Sequence, residues 1–495
     1  MAGTDPPKNY QKLILIGLGI IYVVFTADTF LGRHPSSLPT KSGGKDSLVG
    51  GKAGSTSISG TTGSLFKGTP YRKYDGKRVF AHSSWKNRIG KTSLDWNTIV
   101  SKYYRKKTRD STVPTKQCSR WAVVTTIFES NDAITGVANL EGWCMVIVAD
   151  NKTPVNYLEQ GTGLVGNDSV FFFSVEEQKT WLNLPGELGA FVRATPFNHF
   201  ARKNLGFIYA ILRGAEFIYD FDDDNFINKD ESGKPLALIP NESHVENVRF
   251  VSLKNKLFNH HPLMGATIPG SWPRGFPLEK IQDTETHGQV VSSGNTLSMK
   301  HVGVMQYCVD NNPDIDAIHR LVLPLPMNFK ERSSPILVPS SAFVPYNAQA
   351  TLHTKDALWA TLLPITVHGR VSDIWRSYFS ECLFHDLDLG VVLLPPRITQ
   401  YRNAHSYIAD MKAEGDLYFK SERLVEFISG WGSLLPNIPG RMEALWIDLY
   451  ERGYIEEDDV KLVQLWLGVL VQIGYHFRPP KTLEFERGIR FNATF

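Results

Sequence analysis

From Trp121 onward the apolar positions gather into short unbroken runs. Trp121 to Phe128, Cys144 to Ala149, Val170 to Val175 and Glu216 to Tyr219 have strand length and no polar alternation. Such runs mark strands covered on both faces, as in a mainly parallel sheet between layers of helix. Between Phe200 and Arg213, Leu205, Ile208, Ile211 and Leu212 recur at helical spacing, and Gly214 stands where a C-terminal cap belongs. Strand, helix and strand in succession predict an α/β fold. Leu417 to Trp431 and Met442 to Ile473 read as helical, giving a C-terminal helical region over 401–495 behind a principal domain over 117–400.

The first 116 residues have a different pattern. Leu13 to Ala27 is an apolar run diluted only by Gly17, Gly19 and Thr26, with Lys8 and Lys12 before it and Asp28 after it. It predicts a membrane signal anchor over 13–31 behind a short cytoplasmic tail, 1–12, in the type II orientation. A cleaved signal peptide is the competing reading. Residues 32–116 form a basic stem. From Arg33 to Lys67 it is Ser, Gly, Thr and Lys, a composition that buries too little surface to offset ordering entropy.

Charge sharpens this division. Residues 33–120 hold 19 Lys or Arg against 4 Asp, whereas residues 121–495 carry a net −12. A basic arm thus precedes an acidic body, and an acidic body argues against a nucleic-acid partner. Four cysteines, Cys118, Cys144, Cys308 and Cys382, show no metal-site spacing. Cys144 reads as a small buried apolar residue, with one or two bridges left open. Sequons at Asn151, Asn167, Asn241 and Asn492 all lie beyond the anchor, where a type II topology would turn them to the lumen.

The chemistry is concentrated where a buried strand ends. Tyr219 is followed by Asp220, Phe221, Asp222, Asp223 and Asp224. Ligands of open α/β sheets bind at the carboxyl ends of strands. Carboxylates gathered there repel one another unless a cation neutralises them, and hard oxygen ligands suit Mg²⁺ or Mn²⁺ together with substrate phosphates. Acidic runs also serve as solvated loops or helix caps; the strand before this one favours the metal.

Several blocks then carry a resemblance. Arg202, Lys203, Asn204, Leu205, Gly206 and Phe207 with Gly214, Ala215 and the acidic run form the first, and Trp272 to Leu278 the second. Asn312 to Ala317, Pro345 to His353, and Leu363 to Arg376 follow in order. Together, over roughly Trp121 to Pro396, the chain resembles the STELLO-like family of probable Golgi glycosyltransferases. It is more distantly similar to the reversibly glycosylated polypeptides, the UDP-arabinopyranose mutases.

The resemblance implies a GT-A-like domain, a Golgi membrane address with a lumenal catalytic domain, and in plants an influence on cellulose synthase assembly. It implies transfer of a sugar from a nucleotide-sugar donor to a glycan or glycoprotein acceptor. A non-catalytic role assisting a polysaccharide synthase complex and a nucleotide-sugar mutase are the alternatives. Carried onto this sequence, Asp222, Asp223 and Asp224 are expected as metal ligands, with His353 preferred to His368 as a late fourth. Arg202, Lys203, Asp220 and Arg370 are expected around the donor, Arg274 is a further candidate for its diphosphate, and Asp373 is the expected base. Trp272, Phe276, Trp359 and Trp375 are candidates for stacking on sugar or base, and Asn347 and Gln349 for hydrogen bonds to a sugar.

Overall fold

The computed structural model describes residues 94–105, 118–239, 241–402 and 406–481. The anchor at 13–31, the cytoplasmic tail, the stem up to residue 93 and the sequon at Asn492 lie outside these residues. Among the described residues no helix is long and apolar enough to cross a membrane.

Among the described residues, eleven strands form one mixed sheet. They are β1 (Arg120–Thr126), β2 (Trp143–Ala149), β3 (Val170–Phe173), β4 (Phe217–Asp220), β5 (Asn225–Ile227), β6 (His244–Ser252), β7 (Gln289–Ser298), β8 (Val302–Asn311), β9 (Ile336–Leu337), β10 (Thr351–Thr354) and β11 (Gly390–Gln400). The order is β3-β2-β1-β4-β10-β8-β11-β9-β6-β7, with β5 paired to β11. Strands β3, β2, β1 and β4 are mutually parallel. Because β10 is antiparallel to both β4 and β8, and β8 is parallel to β11, six strands run one way around a single reversed strand. The central sheet is therefore mainly parallel, as the unalternating runs imply.

Alternate side chains on β1 feed two cores. Trp121 and Val123 face one side, and Ala122 and Val124 the other. The first side is covered by the helices Asn204–Leu212, Gly369–Leu387, Ile438–Glu451 and Glu457–Gln472. The C-terminal helices thus share their core with the sheet. Helix Asn204–Leu212 lies close to β1 and β2 because Gly206 has no side chain. A Cβ there would come within 2.6 Å of methyls on both Val123 and Val148.

Two expectations change. The stem, read as flexible to residue 116, contains the helix Trp96–Arg105, whose Trp96, Ile99 and Val100 fall on one face and pack on the core. The Trp96 indole donates to Glu443 Oε2 at 2.7 Å, and burial of that face outweighs the ordering entropy that the basic composition alone suggested. Cys144, read as a small buried apolar side chain with one or two bridges left open, is bonded to Cys118, linking the segment before β1 to β2; Cys308 and Cys382 are free and buried. The pairing joins residues 26 apart that the parallel register of β1 and β2 brings together.

Candidate active site

The parallel strands end on one edge of the sheet, and a cavity of about 450 Å³ opens there. Register explains its walls. Asp220 closes β4 opposite Val123 of β1 and Thr351 of β10, so the residues that follow it leave the sheet between two strand ends. Gln400, at the end of β11, pairs with Asn225 of β5 and faces the same residues from the other side. Asp222, Asp223 and Asp224 line the cavity.

Each of the three carboxylates has its own support. Asp222 Oδ1 lies 3.2 Å from the Lys203 ammonium, and the Asp222 backbone N–H donates to the Asn225 side chain at 3.1 Å. Asp223 accepts a short hydrogen bond from the Thr126 hydroxyl at the end of β1, while Asn131 Nδ2 donates to the Asp223 carbonyl at 2.8 Å. Asp224 Oδ2 accepts from Gln400 Nε2 at 2.9 Å.

Negative charge is under-neutralised here. Burial pushes Asp222 up to about 7, with Lys203 opposing and Asp224, Asp220 and Asp223 adding to the rise. Burial likewise raises Asp223 and Asp224. A divalent cation fits such residues, because its charge offsets the burial, and at Asp222 and Asp224 also the repulsion, that favours their protonated forms. Among the described residues no three of His, Cys, Asp and Glu form a ready-made cage. An ion would therefore need oxygens from a phosphate to complete its shell, the usual arrangement for Mg²⁺.

Across the cavity stands a wall of guanidinium groups from Arg274, Arg370 and Arg402. Arg274 Nε binds Asp314 Oδ1 at 2.7 Å and Arg274 Nη2 binds Asp373 Oδ2 at 2.7 Å. Burial works against the Arg274 charge, but Asp314 and Asp373 outweigh it and hold the group well above its ordinary value. Arg370 Nε donates to Glu414 Oε1 at 2.8 Å. Glu414 lies just before helix Gly415–Ser429, so the C-terminal helices help to build this wall. The cavity thus has an acidic side and a basic side, which can receive a cation and an anion next to each other.

Comparison with known proteins agrees with the motifs. Residues 370–486 match the model of the STELLO glycosyltransferases. This stretch begins at the arginine wall and runs through β11 and the C-terminal helices. The chain is 25% identical over 413 residues to "Probable glycosyltransferase STELLO2" of Arabidopsis thaliana, covering 81% of this chain and 50% of the relative. "Probable glycosyltransferase STELLO1" of the same plant is also 25% identical over 414 residues, with the same coverage. The chain spans about half the length of these curated relatives. A "Probable UDP-arabinopyranose mutase 1" of Solanum tuberosum is 25% identical over 244 residues, 47% of this chain and 59% of the relative.

Four of the expected site residues lie behind the cavity wall, and their roles are corrected. Asp220 is fully buried between Lys203 Nζ at 2.6 Å and Arg376 Nη1 at 2.8 Å, so it meets no donor. The Lys203 ammonium is also buried. It is spent on Asp220, on Asp222, and on the carbonyls of Phe221 at 2.7 Å and Ala348 at 3.2 Å. It supports Asp222 from beneath. Arg202 Nε donates to Gln178 at 2.7 Å, and its guanidinium stacks over Phe197. His353 is fully buried in β10 opposite Ile218, where burial, then Arg376 and Lys203, hold its imidazole neutral. The strand placed these residues in the sheet, where their charges face protein.

His368, ranked second, lines the cavity and caps helix Gly369–Leu387 by accepting the Arg370 N–H on Nδ1 at 3.2 Å. Arg370 and Asp373 also line it. The Asp373 carboxylate is committed to Arg274 and to the Ala348 N–H at 3.1 Å. Trp272 is buried, with its indole on Asp316, and Phe276, Trp359 and Trp375 are core residues. Gln349 reaches the cavity, whereas Asn347 is turned to Asp314 at 2.8 Å.

Sequence reasoning missed Asp150, His199, Gln400 and Arg402. Asp150 directly follows β2, and its carboxylate accepts the N–H groups of Asn198 at 2.8 Å and His199 at 3.2 Å, fixing the loop that borders the cavity. Its position directly after an apolar run was the available signal. Arg402 and Gln400 offered none, because only the pairing of β11 with β5 brings them to the acidic run.

Proposed function

We propose that this chain is a metal-dependent glycosyltransferase that takes a nucleotide-sugar donor into the cavity at the ends of β1, β4 and β11 and passes the sugar to a glycan or glycoprotein acceptor. The observation that carries the reading is the pairing, across one cavity, of the raised carboxylates Asp222 and Asp224 with a wall of arginines. The relatives named probable glycosyltransferases support it, as does a mainly parallel central sheet whose strand ends open on the cavity.

Asp222 and Asp224 would hold Mg²⁺ or Mn²⁺, which supplies positive charge to the departing diphosphate as the sugar bond breaks. The protein's own part is to fix these oxygens. Lys203 sets Asp222 and Gln400 sets Asp224, so neither must reorganise when a donor arrives. Asp373, expected as the base, is better suited to hold Arg274 in place, because both its oxygens already accept hydrogen bonds.

The Cys118–Cys144 bridge supports a lumenal domain, since disulfides persist in oxidising compartments. With the apolar run Leu13 to Ala27 it favours a type II Golgi membrane protein. A polysaccharide synthase complex is then an accessible partner for the membrane-proximal stem.

Calorimetric titration with a panel of nucleotide sugars and Mn²⁺ tests the reading. One donor should bind only with metal, and the double variant Asp222→Asn with Asp224→Asn should lose it while still melting cooperatively. Failure of a folded wild-type chain to bind any donor would move the assignment to a non-catalytic assembly role. The mutase relatives favour a second reading, sugar-ring isomerisation on the nucleotide; a changed nucleotide sugar formed without acceptor would establish it.

A further inference from the structure

The three arginines of the cavity wall are not equally occupied. Arg274 spends its Nε on Asp314, its two terminal nitrogens on Asp373, and a further bond on the Arg370 carbonyl. Arg370 directs its Nε and Nη2 to one oxygen of Glu414. Behind them Arg320 is held by the carbonyls of Ile315 and Pro313 and by the Asn312 side chain. Arg402 differs. Its side chain is 11% exposed, yet among the described residues its guanidinium has no hydrogen bond, and its ion pair is a loose one to Asp410 Oδ2 at 3.8 Å. That carboxylate is shared with Arg370 at 3.5 Å.

A guanidinium carries five N–H donors in a planar fork. Leaving such a group largely desolvated and without acceptors is costly, and the cost is recovered when an oxyanion meets the fork. Arg402 lines the same cavity as Asp222 and Asp224. Two residues before it, Gln400 holds Asp224, so the end of β11 places an uncommitted cation beside the carboxylates. The other charges around Arg402 are Asp224, Asp314, Asp410, Arg274, Arg320 and Arg370; Asp314 is already paired with Arg274, and Asp410 with Arg370.

We propose that Arg402 is the phosphate-binding residue of this site, taking an oxygen of the donor's diphosphate beside the carboxylates. The proposal rests on the transferase reading, and it names a residue that the motifs did not indicate. Phosphate suits the fork better than a single neutral hydroxyl, because two parallel N–H donors match two oxygens.

The test is calorimetric titration of the chain with inorganic pyrophosphate and Mn²⁺, for wild type, Arg402→Ala, Arg402→Gln and Arg402→Lys. Expected are a loss of about tenfold or more in affinity for the alanine and glutamine variants, partial recovery with lysine, and a shallower salt dependence when the charge is gone. Melting temperatures should stay at the wild-type value; should alanine fail to fold, glutamine against lysine gives the same comparison. Wild-type affinity in folded Arg402→Gln, with binding lost in the Asp222→Asn, Asp224→Asn double variant, would overturn the assignment and leave the site standing. Absence of both pyrophosphate and nucleotide-sugar binding in the wild type would overturn both.

Discussion

Asp222 carries two opposed demands. Lys203 favours its charge, while burial and the neighbouring carboxylates favour its proton and win, placing it at about 7. An unfolded aspartate releases its proton near 3.9, so between these values the folded chain binds more protons than the unfolded one. The contribution of this group to stability therefore falls as pH rises from about 4 through 7. Thermal melts at pH 5 and pH 8 should show a larger loss for wild type than for Asp222→Asn; equal losses would count against the assignment. A divalent ion competes with the same proton, so Mn²⁺ affinity should climb across neutral pH and level off above it. Lys203 belongs to a buried set with Asp220 and Arg376. Lys203→Met leaves Asp222 without its support and Asp220 with one partner, and should cost about 3–5 kcal/mol in urea unfolding.

At the scale of elements, the cavity depends on how closely helix Asn204–Leu212 approaches the sheet. Lys203 directly precedes this helix, so any displacement of the helix moves the ammonium under Asp222. Gly206→Ala would set a methyl 2.6 Å from Val123 and Val148, which are themselves packed. The expected destabilisation is about 1–3 kcal/mol by thermal denaturation, with weaker Mn²⁺ binding accompanying it. An unchanged melting curve would show that the helix has room to spare. The C-terminal helices act on the site in a comparable way, since Glu414 stands at the head of one of them and its carboxylate orients Arg370.

Across the whole molecule, segments remote in sequence close around one core. Trp96, from the stretch read as stem, is buried and hydrogen-bonded to Glu443 almost three hundred and fifty residues later, at a separation of 347. Trp96→Ala should remove a large apolar contact and an indole donor, lowering stability by about 3 kcal/mol. Limited proteolysis should then cut within Trp96–Arg105 faster than in the wild type; unchanged cleavage and melting would show that the helix adds nothing to the fold.

Local pattern was enough for much of this protein. Unalternating apolar runs gave the parallel strands, helical spacing gave Asn204–Leu212, and the acidic run at a strand end located the cavity. Those properties depend on neighbours within one turn or one strand, which a sequence displays directly. Which charges reach the cavity was a matter of tertiary structure. Asp220 lies in the acidic run, Arg202 and Lys203 in the motif before it and His353 in a later one, yet the sheet and its covering helices enclose them. Arg402 stands 178 residues beyond Asp224 and meets the same cavity, because β11 pairs with β5. Whether a side chain faces solvent or protein is set by the element packed over it, and that element comes from elsewhere in the chain.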